Sequence, residues 1–261
     1  MESGSKVQEV LNSCGSWFTF SGMWRFNSAE LPRWLQVCHE QVIVPRRRAI
    51  EHHPFIQAMQ NGSAEHQDAE RYFSGLMWHL LDFGKHVSHL FSKRPVEASR
   101  FLQGRSEDVD GDTGILARIV TAFGGPAERI QAQPWSYRPH SVWIHHDSLL
   151  RSVIYSTDLP WQVGAAGLNV GIEALVPHMI EPLFEASVKR YGVTSHDAKW
   201  LESRSGEEEK QHGENGYILL KHYVDENDLK LQEQCVFFIE ALSRSMAYGL
   251  LSSGMPGSRS I

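Results

Sequence analysis

Glu173 lies within GAAGLNVGIEALVPHMIEPLF, an otherwise apolar run, and an ionised carboxylate on a buried helix must meet a compensating charge or a proton. A metal ion is one such compensation. In GEEEKQHG, Glu209 and His212 stand three residues apart and so share one face of a helix. Glu208, four residues before His212, reaches the same face. A lone Glu from one helix and a Glu-x-x-His pair from another form half of the ligand set with which helical bundles hold iron or manganese. The other half would come from Glu107, Asp108, Asp110 and Asp112 in RSEDVDGDTG, an acidic joint that contains no histidine.

Further polar residues have a plainer reading beside a chemical one. His79, Asp82, His86 and His89 recur at helical spacing and could ligate a metal, yet a polar stripe on one helix face explains them equally simply. His178 follows Pro177 and is either a substrate contact or a satisfied core histidine. His145 and His146 precede an expected helix and are read as solvent-facing. Tyr72, Trp78, Phe83, Trp161 and Tyr217 either wall a chamber or are ordinary core. Arg71 and Lys85 could hold the carboxylate of a substrate.

The elements that must position these groups are helices. Apolar residues recur with helical periodicity along almost the whole chain, and alternating strand patterns are nearly absent. AELPRWLQVCHEQV reads as a first helix closed by Pro45, HHPFIQAMQNGS as a short helix stopped at Asn-Gly-Ser, and residues 64–91 as one helix of about seven turns. The acidic joint links EASRFLQG to ILARIVTAFGG. A helix is expected from about Asp147 to Ser156, then the Glu173 helix, the His212 helix with Ser195 as its N-cap, and a last helix from about Glu226 to Leu251 capped by Asp225. The expectation is one domain over residues 1–261, with about 1–20 and 253–261 frayed.

Composition narrows the function. Apolar residues make up 41% and charged residues 21% of 261 residues, which suits a soluble globular domain rather than a disordered one. The formal charge of -6 gives no electrostatic reason to expect nucleic acid. Cys14, Cys38 and Cys235 lack the close spacing of a zinc or redox site, so a reducing, cytoplasmic setting is expected. The first residues show no apolar run of signal-peptide length, and no membrane partner is expected.

The order HHPFIQAMQNG, ERYF, EASRFLQG, ILARIVTAFGG, GIEALVP, EEEKQHG and ALSRSMAYGLL resembles the haem-oxygenase-like superfamily over roughly residues 52–251. This is the PqqC/TenA-like fold, and the likeness is nearest to its di-metal oxidases and oxygenases. The resemblance implies an all-α bundle of about seven to nine helices, commonly a homodimer, with a chamber between its central helices. It implies an oxidoreductase that uses one or two Fe(II) ions and dioxygen to oxidise a small molecule, an amino acid or derivative, in specialised metabolism. Carried over residue by residue, the ligands fall on Glu173, Glu209 and His212, with Asp108 as the first acid and Asp112 beside it. The histidine that follows the family's first acid falls around Asp110 to Asp112, and the earlier histidine of its final cluster falls on Ser205, which is no imidazole substitute. Three other outcomes stay open: the metal-free quinone-synthase-like oxidase, in which His212 moves protons; the thiaminase branch, which needs a central cysteine; and a non-catalytic binding or structural protein.

Overall fold

The computed structural model describes residues 27–95, 98 and 105–257, without the side chains of 105–113 and 207–209. All described secondary structure is helical, and no strand occurs among the described residues. The all-α expectation holds.

Helix α1 runs over residues 33–51 as Arg33–Cys38, a π-helical turn His39–Ile43, and Val44–Glu51. Pro45 therefore does not end it, contrary to expectation. A π-helical turn leads into the proline, with Val44 N–H donating to the His39 carbonyl five residues back, and the helix continues through Pro45. Helix α2 is Pro54–Asn61, stopped by Gly62 in the left-handed region at φ 77°. Helix α3, His66–Ser92, begins with a reciprocal Glu65/Asp68 capping box and matches the long helix expected.

The acidic joint is not a link: it forms the first turns of α4, Arg105–Ala122. Its glycines and aspartates favour a loop by propensity, but packing along α3 overrides them, and acids suit the positive end of a helix. After α5, Ala127–Ala132, helix α6 spans Ser141–Ile154 and starts six residues earlier than expected, because the His140 imidazole caps it by accepting from Val142 N–H. Helix α7, Trp161–Tyr191, is interrupted by a π-helical stretch over Ala166–Glu173. The His212 region is two helices, α8 Lys199–Arg204 and α9 Glu207–Tyr223, broken at Ser205–Gly206 rather than begun at Ser195. Helix α10, Leu229–Gly254, is capped by Asp228, not Asp225, and passes through a third π-helical segment, Ser245–Gly249, into a 3-10 end.

The buried residues form one continuous core drawn from all of these helices. The π stretch of α7 is at its centre, packed between α9 and α10, with every residue from Ala166 to Glu173 buried. By length and composition, α7 and α10 could each cross a membrane, but 89% of the most apolar window of α7 is buried inside the molecule, as in a core helix. Residues 253–257, expected to fray, are held: Arg71 donates to the carbonyls of Ser253 and Met255, and Trp143 Nε1 donates to Ser253 Oγ at 3.0 Å. The expectations for 1–20 and 258–261 lie outside the described residues.

Close helix approach sets the position of Glu173. A Cβ on Gly213 of α9 would lie 2.6 Å from the Ala174 Cα, so backbone meets backbone at the residue after Glu173. Gly213→Val is expected to destabilise the fold by about 1–3 kcal/mol in urea titration. Gly114→Ala, with open space around its Cβ, should instead be neutral or stabilising by up to about 1 kcal/mol. Equal effects of the two would show that α9 does not seat on α7 at this point.

Candidate functional site

Between α3, α6, α7, α8 and α10 the core leaves a cavity of about 90 Å³, room for several waters or a small organic group. Helix α3 supplies one helical face of it, Leu76, His79, Leu80, Phe83 and Val87. Trp143 and His146 come from α6, Ile172 and Glu173 from the end of the π stretch. Val176, Met179 and Ile180 follow on α7, while Trp200 and Arg204 come from α8 and Met246 and Leu250 from α10. Among the described residues the wall is thus apolar apart from two histidines, one carboxylate and one guanidinium.

Glu173 is where the π stretch closes. Ala174 N–H donates to the Asn169 carbonyl five residues back at 3.2 Å, and the buried Asn169 Nδ2 donates to the Ala165 carbonyl at 3.0 Å. Such wide turns cost local stability and concentrate at functional sites. Here the turn ends with the one acidic side chain that the described residues place on the cavity wall.

One of the two cavity histidines, His79, is set by a buried carboxylate that also holds His86. Asp147 Oδ1 lies 3.3 Å from both His79 Nδ1 and His86 Nε2, and Oδ2 accepts from Arg151 Nε at 2.6 Å. The His79 contact is an ion-pair distance without hydrogen-bond alignment. Arg151 reaches on to Asp82 at 3.0 Å, and Asp82 accepts from Lys85 at 2.5 Å. Burial pushes the Asp147 carboxyl up, but His79, His86 and Arg151 together outweigh it and hold it well below the usual carboxylate range.

His146 is fully buried and faces His79 edge-on, with ring centroids 5.1 Å apart. Burial, reinforced by the neighbouring His79, holds its imidazole well below 6.5, so it is neutral. The solvent-facing reading of His146 is corrected. In a helix that starts at Ser141, position 146 falls on the buried face with Trp143 and Leu150.

The other anticipated residues are placed as follows. His212 is half-buried and is not on the cavity wall, although Gly213 beside it abuts Ala174. The side chains of Glu209, Asp108 and Asp112 lie outside the described residues. Arg71 is engaged by Asp68 and by the carbonyls of Ser253 and Met255, away from the cavity. Lys85 is on the surface, and His178 faces Glu51 at 3.5 Å. Of the aromatic residues, Phe83 reaches the cavity, while Tyr72 and Tyr217 are core. Among the described residues, no three His, Cys, Asp or Glu side chains form a group able to hold a metal. Sequence reasoning missed Trp143, Trp200, Arg204 and the pairing of His79 with Asp147.

No family model and no curated protein matches the sequence. Solved structures do match the fold. A TenA homolog from Pseudomonas syringae pv. tomato superposes with a TM-score of 0.75 at 14% identity, covering 87% of this chain and 95% of its own. A TenA family transcription regulator from Silicibacter sp. gives 0.65 at 12% identity over 88% and 100%. A domain of unknown function with a heme oxygenase-like fold from Shewanella denitrificans gives 0.66 at 16% identity over 84% and 91%. The chain has the haem-oxygenase-like fold.

A histidine folded in its neutral form leaves the unfolded chain to bind the extra proton. Stability from this source is therefore complete above the unfolded value of 6.5 and declines as pH falls below it. Between pH 6.5 and about pH 5, urea midpoints of His146→Gln should fall less steeply than those of the parent, by up to about 1.4 kcal/mol per pH unit for one proton. An unchanged slope would mean that His146 is not buried neutral.

Proposed function

We propose that the protein is an enzyme that oxidises a small, largely apolar molecule with dioxygen, and that the substrate sits in the cavity of His79, His146, Glu173 and Arg204. One observation carries this reading: among the described residues, four titratable or charged side chains line a cavity whose other lining residues are apolar, the usual form of a small-molecule site. The dioxygen chemistry is drawn from the haem-oxygenase-like fold and from the kind of groups in the wall, which move protons. Neither described thiol lines the cavity. Burial pushes Cys38 and Cys235 up to about 12, so neither supplies the thiolate that the cysteine-dependent branch of the superfamily requires.

A second reading, iron held by Glu173 with Glu209 and His212, is favoured by the seating of α9 against Ala174, which makes the two ligand-bearing segments neighbours. The described donors do not complete such a site, and Glu209, Asp108 or Asp112 would have to close it. Iron there would supply the activation of dioxygen. The protein's own part would be to exclude water with Trp200, Met246 and Ile172 and to position protons with His79 and His146.

Anaerobic loading with ferrous iron, removal of unbound metal and admission of oxygen separates the two. Trace iron in a folded protein is the outcome expected from the cavity geometry. Stoichiometric iron that disappears in Glu173→Ala and His212→Ala, yet stays in His79→Gln, would establish the iron reading instead. Independently, small aromatic compounds should raise the melting temperature of the parent but not of Leu80→Trp, whose indole would fill the cavity. Protection that survives this substitution would place the binding site elsewhere.

A further inference from the structure

His146 has two unequal ring nitrogens. Nδ1 is 3.0 Å from Ser245 Oγ, whereas Nε2 is buried and has no hydrogen-bond partner. A buried polar atom without a partner is costly, so its presence beside a cavity points to a ligand that completes it. His79 turns Nδ1 to Asp147, which leaves Nε2 as its nitrogen for the cavity. Phe83 and Trp143 pack on His79, and beside aliphatic residues the wall also carries Trp200, Met179 and Met246. Flat rings pack well against such groups.

We infer that His79 and His146 form a subsite for the acidic hydroxyl of a flat ring, a phenol or enol, and that His79 takes its proton. This deepens the proposed function and rests on the cavity being the reaction chamber. In the step, the O–H bond breaks, the proton goes to His79 Nε2, and the electron pair stays on the phenolate oxygen. The scheme assigns His146 the tautomer in which Nδ1 accepts from the Ser245 hydroxyl, so that Nε2 carries the proton and donates to that oxygen. The product is an electron-rich anion, the form of a ring that gives up electrons to dioxygen more readily.

Asp147 is a positioning residue in this scheme. Its Oδ1 bridges His79 Nδ1 and His86 Nε2, and His86 Nδ1 is 3.0 Å from the hydroxyl of Tyr155, which is exposed. Asp147 thus offsets a charge on His79 across an ion-pair distance and orients its ring. Arg151 offsets the Asp147 charge and Asp82 offsets that of Arg151. Glu173 and Arg204 face the same cavity from α7 and α8.

Para-nitrophenol tests the subsite, because its phenolate absorbs in the visible and its isosteres nitrobenzene and para-nitrobenzoate isolate the hydroxyl. In buffer below its solution pKa, the protein should bind para-nitrophenol as the yellow phenolate, at least about tenfold tighter than nitrobenzene. His146→Gln should lose that preference while nitrobenzene affinity stays level. Asp147→Asn should reduce the phenolate fraction of the bound probe more than its affinity. Equal binding of para-nitrophenol and nitrobenzene would overturn the inference and leave the chamber reading intact. Tightest binding of para-nitrobenzoate would overturn it in favour of a carboxylate subsite. Binding of none of the three would overturn both this inference and the chamber reading, and the wild-type comparison holds even if a variant fails to fold.

Discussion

The carboxylate of Asp147 is the contact on which the arrangement of the cavity depends. It joins α6 to α3 by accepting from Arg151 on its own helix and by facing His79 and His86 on the other. A buried ion pair is a poor source of net stability, since desolvation offsets most of the attraction, but removing one partner leaves a charge stranded. That asymmetry fixes geometry. Helix α3 cannot rotate or slide against α6 without leaving Asp147 without its imidazoles, so His79 is held on a face that Leu76, Leu80 and Phe83 would otherwise make uniformly apolar.

The second constraint is backbone geometry in α7. A π-helical stretch places residues on a different angular register from an α-helix, and it is tolerated here because the stretch is enclosed on both sides. Gly213 and the surrounding turn of α9 come to van der Waals limits at Ala174, and Asn169 takes up the Ala165 carbonyl with its side chain. The wide turn and the tight helix contact together bring a carboxylate to a wall where the sequence pattern alone would place another Leu or Ile. Cavity, carboxylate and helix packing are therefore one feature rather than three.

Much of the fold was legible from the chain, because helical periodicity and caps are local. The long α3 and the Gly62 stop were read directly, as was the resemblance to the haem-oxygenase-like bundle. Boundaries failed where tertiary packing or unusual chemistry outranked propensity: Pro45 within α1, the Gly- and Asp-rich start of α4, and the histidine cap of α6. The last of these had a functional consequence. Starting α6 at Asp147 rather than Ser141 removed the register that would have put His146 on the buried face with Trp143 and Leu150. The polar stripe of α3 was visible as His79, Asp82 and His86, but the groups that give it meaning, Asp147 and Arg151, are more than sixty residues away, and no local pattern reveals such a pairing. Glu173 stood out for a sound reason: a carboxylate in an apolar helix has to be accounted for wherever it lies.

An apolar cavity restricts which groups can work in it. Charge is costly there, so a resident group must either stay neutral or carry its own counter-charge. His146 does the first, since burial and the neighbouring His79 keep it unprotonated. His79 does the second, because it is faced by Asp147 at 3.3 Å, which His79, His86 and Arg151 together keep ionised. Two imidazoles of the same intrinsic basicity are thereby given different roles by their surroundings, one to accept a proton and one to donate a hydrogen bond. That division suits a substrate that enters neutral and reacts as an anion, because the charge pair is then created inside the cavity, at atoms already oriented to stabilise it, and no ion has to be carried across the apolar wall.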